Sequence, residues 1–242
     1  NKKTLDIYTS SILSIKKSKK LSSNKKKIIG ITSFGVTTVA VNLCVKLLKN
    51  KNYDSVVLPA NGAGGRFFEK LINEKYFDGV IDLTTSEIAD EVVGGTASAG
   101  KHRLTSAIKM KIPQIVSTGA IDMVNFSSLN SIPKKFLKRN LYQHTKFTTL
   151  MRTNVYENIK IAKIMAKRLL NKNSKCAVIY PEKGFSEYDK KNKFFYGPKE
   201  NKSWLKTFKK YKFKNIQLIT SNNHINDAKF SNTVVDWIQN NV

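Results

Sequence analysis

Few residues of this 242-residue chain could do chemistry, and they gather in short runs of glycine, hydroxyl, amide and acid side chains. In Ser33-Phe34-Gly35-Val36-Thr37-Thr38, Gly35 and the hydroxyls of Thr37 and Thr38 would stand where backbone amides at a helix start can receive an anion. Either threonine would serve equally as a plain N-cap. Asn61-Gly62-Ala63-Gly64-Gly65-Arg66 sets three glycines in four positions. That run costs backbone entropy an ordinary turn does not require, and close approach to a phosphate or carboxylate would explain it, with Arg66 holding the anion or capping the loop. Glu87 belongs to a Thr/Ser-then-acid arrangement that suits a helix N-terminus. The Gly94-Gly95 pair beyond it reads as a ligand-facing loop. Gly119, Asp122 and Asn125 lie in Gly-Ala-Ile-Asp-Met-Val-Asn-Phe. There a paired acid and amide could read a hydroxylated or amide-bearing ligand, with Met123 and Phe126 as core anchors.

His144 and Arg152 bracket Thr-Lys-Phe-Thr-Thr-Leu-Met ahead of a long helical stretch, which predicts an imidazole and a cation near its start. His144 and Glu182 are the candidates for a general acid or base. His224, in Asn-Asn-His-Ile-Asn-Asp, could orient a loop by hydrogen bonds. The three histidines are too far apart for metal-ligand spacing, and Cys44 and Cys176 sit in apolar runs, so neither a zinc site nor a disulfide framework is expected. No dinucleotide, P-loop, nucleophile-elbow or zincin motif is present, and no defined reaction follows from the residues alone.

The elements that must position these residues repeat in order: a short β-branched run, a polar loop, then an amphipathic stretch. Strands are predicted at 28–32, 55–58, 79–83, 114–117, 177–180 and 216–219. Helices are predicted at 39–48, 67–72, 88–93, 104–110, 155–170, 204–211 and 230–238. The alternation predicts a three-layer, doubly wound, Rossmann-like α/β fold with a mostly parallel sheet. In such a fold the loops leaving the carboxyl ends of the strands share one rim, where ligands bind. Every unusual loop of this chain falls there, so one composite site is expected.

Size and a 40% hydrophobic content exclude wholesale disorder, and no run is long and apolar enough for a membrane span or signal peptide, so a cytoplasmic protein without a membrane partner is expected. Residues 1–27, lysine-rich and beginning at Asn1, read as a linker or tail of a fragment, with the folded domain over 28–242. The formal charge of +26 would ordinarily point to nucleic acid. Residues 54–131, however, carry seven Lys/Arg against nine Asp/Glu, and the 43 basic residues include five arginines. The excess reads as a solvated lysine surface with no dedicated nucleic-acid partner; steeply salt-dependent binding would reverse that.

The runs Phe-Gly-Val-Thr-Thr, Asn-Gly-Ala-Gly-Gly-Arg, Asp-Gly-Val-Ile-Asp-Leu-Thr-Thr-Ser-Glu, Ser-Ala-Gly-Lys-His-Arg-Leu and Thr-Leu-Met-Arg-Thr-Asn, with Pro-Glu-Lys-Gly-Phe-Ser-Glu-Tyr-Asp, resemble the C-terminal half of the Tm-one-like ATP-binding family. That uncharacterised bacterial family is similar to the inhibitory region of a tomato mosaic virus resistance protein. The resemblance covers residues 28 to about 238. It implies two Rossmann-like domains in the full protein, with the N-terminal domain absent from this chain, and it implies ATP as the ligand and a homodimer. The leading expectation is a domain binding a nucleotide or another phosphorylated or carboxylated metabolite on the strand-end rim, with Glu87, Gly119, Arg152 and His224 counted among its ligand-binding residues beside those of the two glycine and threonine loops and Asp122 and Asn125. The alternatives are an enzyme using His144 or Glu182, and a basic interaction module.

Overall fold

The computed structural model describes residues 26–170, 174–211, 213 and 215–242. The expected linker over 1–27 therefore lies, but for its last two residues, outside the described residues. In chain order the elements are β1 (Ile28–Ser33), α1 (Thr38–Asn50), β2 (Asp54–Pro59), α2 (Ala63–Asn73), β3 (Gly79–Thr84), α3 (Ser86–Val93), α4 (Ser106–Met110) and β4 (Gln114–Gly119). They continue with β5 (Met123–Phe126), β6 (Leu141–Thr145), β7 (Thr148–Arg152), α5 (Val155–Leu169), β8 (Cys176–Pro181), α6 (Pro198–Phe208), β9 (Ile216–Ser221) and α7 (Ala228–Asn241).

All six predicted strands form one parallel sheet in the order β2-β1-β3-β4-β8-β9. Near-continuous apolar strands such as Ile28–Ser33 and Cys176–Pro181 bury both faces, as helices on either side of a parallel sheet require. On one face Ile29, Ile31, Ile81 and Leu83 pack against Ala40, Val41, Cys44 and Leu48 of α1 and Phe230, Val234 and Ile238 of α7. On the other, Ile28 and Val80 meet Phe67, Phe68, Leu71 and Ile72 of α2. Further along that face, Val116 and Val178 meet α3, α5 and α6. The result is the expected three-layer fold. Both cysteines are core residues, and burial pushes each thiol up to about 12. No described helix is long and apolar enough to cross a membrane.

The strand order reverses between β1 and β3, which makes the crevice above their carboxyl ends the topological switch point. One part of the architecture departs from expectation. The stretch between β4 and α5, where no strand or helix is predicted, folds into a second, antiparallel sheet in the order β5-β7-β6, with Met123 opposite Arg152 and Tyr142 opposite Leu150. Its hairpin turns through Lys146-Phe147, without the Gly or Asn that usually marks such a turn, which is why the residues concealed it. Met123 and Phe126 are buried, as their role of anchors requires.

Candidate functional site

The loop leaving β1 and the loop leaving β2 start side by side, because the amide of Ala60 donates to the carbonyl of Ser33 at 2.7 Å. Within the first, Thr37 is wholly buried: its hydroxyl donates to the Phe34 carbonyl at 2.9 Å and lies 2.7 Å from the Thr84 hydroxyl across the β1–β3 crevice. Thr37 thus fastens the crevice. Gly35 and Thr38 are exposed at the entry to α1. A Cβ built on Gly35 meets nothing within 4 Å, and of the chain's twelve glycines it alone has neither such a neighbour nor a positive φ. Nothing in the described chain explains that glycine.

The glycines of the second loop do have internal reasons. Gly62 has a φ of +84°, and a Cβ on Gly64 would lie 1.9 Å from the Pro59 carbonyl oxygen. A Cβ on Gly65 would lie 2.2 Å from both carboxylate oxygens of Glu87. The close carboxylate that this run called for is the protein's own. Glu87, expected on the ligand, is fully buried: it accepts from the Gly62 amide at 2.6 Å and from Arg103 Nε at 2.6 Å. Arg103, also without exposure, further pairs with Glu69 at 3.2 Å and with Asp82. The remaining carboxylate lone pairs are met by the amides of Leu104 and Ser106 on Glu69 and by Gln114 on Asp82. Asn61 and Arg66 stay exposed, with Arg66 Nη1 donating to the Ser98 carbonyl at 3.0 Å.

Asp122 and Asn125, expected as a pair, go separate ways, since residues three apart around a strand point to opposite faces. Asn125 donates from its side chain and its backbone amide to Asp90, whose other amide donor is Ala97. This ties down the Gly94-Gly95 loop; burial first, against those hydrogen bonds, pushes the Asp90 carboxyl up to about 6. Asp122 accepts from the Ser186 hydroxyl at 2.7 Å, and its other oxygen is buried without a partner among the described residues. Burial, then the nearby Asp189, push Asp122 up to about 7 against the pull of Arg152.

Arg152 is nearly buried. It donates to the carbonyls of Asp122 and Gly197 and to Asn201, with Asp189 at 3.6 Å. A cavity of about 250 Å³ lies beside it, lined by Arg139, Asn154, Gly197 and Glu200 among others. His224 is buried too: the Asn226 amide donates to its Nδ1 at 3.2 Å, so the proton sits on Nε2 and is donated to the Ser186 carbonyl at 2.9 Å. Its role is to hold the loop after β8. Gly119 packs against the Leu83 carbonyl, where a Cβ would lie 2.0 Å away.

His144 does not stand near the start of α5. It lies on β6, toward the hairpin turn and away from Arg152, exposed, with Nδ1 2.9 Å from the Tyr188 hydroxyl. Glu182 is exposed just beyond β8. The candidate residues thus share a rim without forming one pocket: Gly35, Thr38, Asn61 and Arg66 face outward near the switch point. Thr37, Glu87, Asn125, Arg152 and His224 are engaged internally.

Sequence reasoning missed Arg103, Glu69, Asp82, Ser186 and Asp189. A signal for part of this existed in the scarcity of arginine. Arg103, Arg139, Arg152 and Arg168 all pair with carboxylates, Arg139 bidentately through both Nη atoms, where the planar guanidinium fork does what lysine cannot, and Arg168 through Nη2 alone. Arg66 is the fifth, and no carboxylate among the described residues pairs with it.

Residues 26–242 match the family model described as the C-terminal domain of an uncharacterised protein family, UPF0261. The chain is 45% identical over 208 residues to a UPF0261 protein of Clostridium tetani, covering 86% of this chain and 52% of that protein. It is 38% identical over 224 residues to the ToMV resistance protein Tm-1(GCR237) of Solanum lycopersicum, covering 88% of this chain and 29% of that protein. A UPF0261 protein of Rhizobium meliloti is 34% identical over 214 residues, with 87% and 53% covered. The chain spans about half the length of these bacterial relatives.

Two stability predictions follow from the buried networks. Arg103→Met leaves three carboxylates without their cation and is expected to cost about 3–5 kcal/mol in urea denaturation. A loss under 1 kcal/mol would show that the network does not hold these elements. Between about pH 4 and pH 7 folded Asp122 keeps a proton that the unfolded chain has released, so stability falls as pH rises through that window. The slope is at most about 1.4 kcal/mol per pH unit for each such carboxyl. Asp122→Asn should flatten it, leaving the same-signed contributions of Asp90 and of the buried Asp189 beside it; an unchanged profile would contradict the assignment.

Proposed function

The chain belongs to the UPF0261 family, as its C-terminal domain, and on that footing we propose that it is a ligand-binding domain for a nucleotide or another phosphorylated or carboxylated metabolite. The ligand sits on the strand-end rim beside the β1–β3 switch point. The observation that carries this reading is Gly35: an exposed glycine at the entry to a 13-residue helix, with open space where a side chain would be. Backbone that an anion must approach closely is where a glycine earns no other explanation. Thr38 supplies a hydroxyl at the same helix entry, and Arg66, on the loop of the adjacent strand, is free of carboxylate partners among the described residues. ATP is the nucleotide of choice through the resemblance stated above. The same resemblance supports an upstream domain that completes the site and a homodimer; work in the cytoplasm is proposed alongside them, on the sequence rather than on the resemblance.

A reading as an enzyme has one observation in its favour: the exposed imidazole of His144 meets the Tyr188 hydroxyl at 2.9 Å, a geometry open to proton exchange.

A thermal-shift panel of nucleotides and phosphorylated acids tests the binding site, on this chain alone and joined to the upstream half that its relatives carry. Ligand at a hundred times its dissociation constant adds about 2.7 kcal/mol of stability. Gly35→Leu fills the open space and is expected to abolish the shift while leaving ligand-free melting unchanged. A shift that survives Gly35→Leu, or no shift in either form of the protein, would sink the site. His144→Ala and Glu182→Gln are expected to leave the shift intact, and turnover of a panel compound that folded His144→Ala loses would replace the pure binding role with catalysis.

A further inference from the structure

The lysine excess, spread along the chain, takes on a different look once folded. Two flanking segments, residues 133–147 and 183–199, are brought together where the Asn140 side chain donates to the Phe194 carbonyl at 2.8 Å and His144 meets Tyr188. Between them these segments hold ten Lys/Arg and two Asp/Glu. One of the two acids, Asp189, is buried beside Arg152, and Lys134, Lys135, Lys138, Lys146, Lys190, Lys191 and Lys193 are all exposed.

Aromatic rings are interleaved with Lys146, Lys190, Lys191 and Lys193 along these segments, whereas Lys135 lies over Phe136, which packs in the core cluster that Leu141 joins. Tyr142 stacks on Phe194 with centroids 4.4 Å apart and planes 24° from parallel, and Tyr188 packs edge-on to Tyr142 at 5.1 Å. Phe194 is nonetheless 59% exposed, Phe147 74% and Tyr196 51%. With one face of Phe194 covered by Tyr142, its exposure falls on the opposite face, which is the face a flat partner would stack on. Lys146 Nζ lies 6.0 Å from the Phe147 centroid, so charge stands directly beside a free ring. Each aromatic side chain offers a large apolar area that folding would ordinarily bury, and a solvated lysine surface accounts for exposed ammonium groups but not for exposed rings.

We infer that this face binds single-stranded polynucleotide, its bases stacking on Phe194 and Phe147 and its phosphates held by the surrounding lysines. Free rings set in a basic surface are the physical requirement for single-strand binding, and every base has a π-face, so no base-specific contacts are needed. The scarcity of arginine, which tells against bidentate base readout, is no obstacle to such binding. A duplex keeps its bases stacked internally and could use the lysines alone. An acidic polypeptide would likewise meet the charge and leave the rings idle.

The test is fluorescence anisotropy on the full chain with labelled 15-nucleotide oligouridylate and oligodeoxythymidylate, a duplex of equal length, and poly-glutamate, each over a salt series. Single strands are expected to bind more tightly than the duplex or poly-glutamate, with log affinity falling by about 0.7 per engaged phosphate for each log unit of salt. Phe147→Ala and Phe194→Ala are expected to weaken single-strand binding about tenfold per ring without changing that slope. Lys190→Gln, Lys191→Gln and Lys193→Gln should instead flatten it. These side chains are exposed, and unchanged melting temperatures confirm that the variants fold. Equal binding of poly-glutamate or duplex, indifference to both phenylalanine changes, or no binding at low salt would overturn the proposal. Displacement by ATP would also overturn it, since that would place the oligonucleotide on the rim near Gly35; failure of the ATP shift itself leaves this face untouched.

Discussion

Removing the Arg103 guanidinium from water withdraws a full charge from its hydration. The fold tolerates this because Glu69 from α2, Asp82 from β3 and Glu87 from α3 close around it. An ion cluster of this kind is a poor source of net stability and a good source of position. Three elements and the loop carrying Arg103 can meet it in one arrangement, because any other leaves a buried carboxylate bare. The consequences reach the rim. Glu87 can reach the Gly62 amide and pass Gly65 because neither residue has a side chain in the way. The glycine loop is shaped by the cluster beneath it.

A second buried group does the same for the far end of the rim. Arg152 ends β7 and reaches the loop ahead of α6, while Asp122 and Asp189 share its surroundings with Ser186. Burial, and then a second acid beside a single cation, leaves a carboxyl that holds its proton up to about 7. The small antiparallel sheet is thereby tied to the β8 loop, which His224 in turn holds from the β9 side. Between these two fixed regions the entry to α1 remains open, with Asn226 accepting from the Ala40 amide and donating to the Val36 carbonyl as its support. Rigid backbone under an open surface is the arrangement that preorganised anion binding needs.

The large sheet was legible in the residues because its signal is local: an apolar run of four to six residues, bounded by polar loops, has few other ways to be buried. The second sheet was not, since Lys146-Phe147 carries no turn chemistry and β6 buries none of its residues. The rim was half legible. Glycine at 62, 64 and 65 correctly announced that something approaches the backbone, but a sequence does not say whose atom it is, and the approaching groups proved to be Glu87, 22 residues beyond Gly65, and the carbonyl of Pro59. Asp122 and Asn125 failed as a pair for a simpler reason, the period of two that sends them to opposite faces.

Charge is the property that a linear reading handles worst. Counting along the chain correctly located the acidic balance in residues 54–131, which contain Asp82, Glu69 and Glu87, the acids of the Arg103 cluster. Counting could not see that two basic segments about fifty residues apart meet in space, because their meeting depends on the hairpin that the residues concealed. That hairpin places Tyr142 and His144 on one side of β6, facing Tyr188 and Phe194, while Leu141 turns toward the core. The same period of two that separated Asp122 from Asn125 thus gathers the aromatic rings, and the lysines around them become a field with a defined centre.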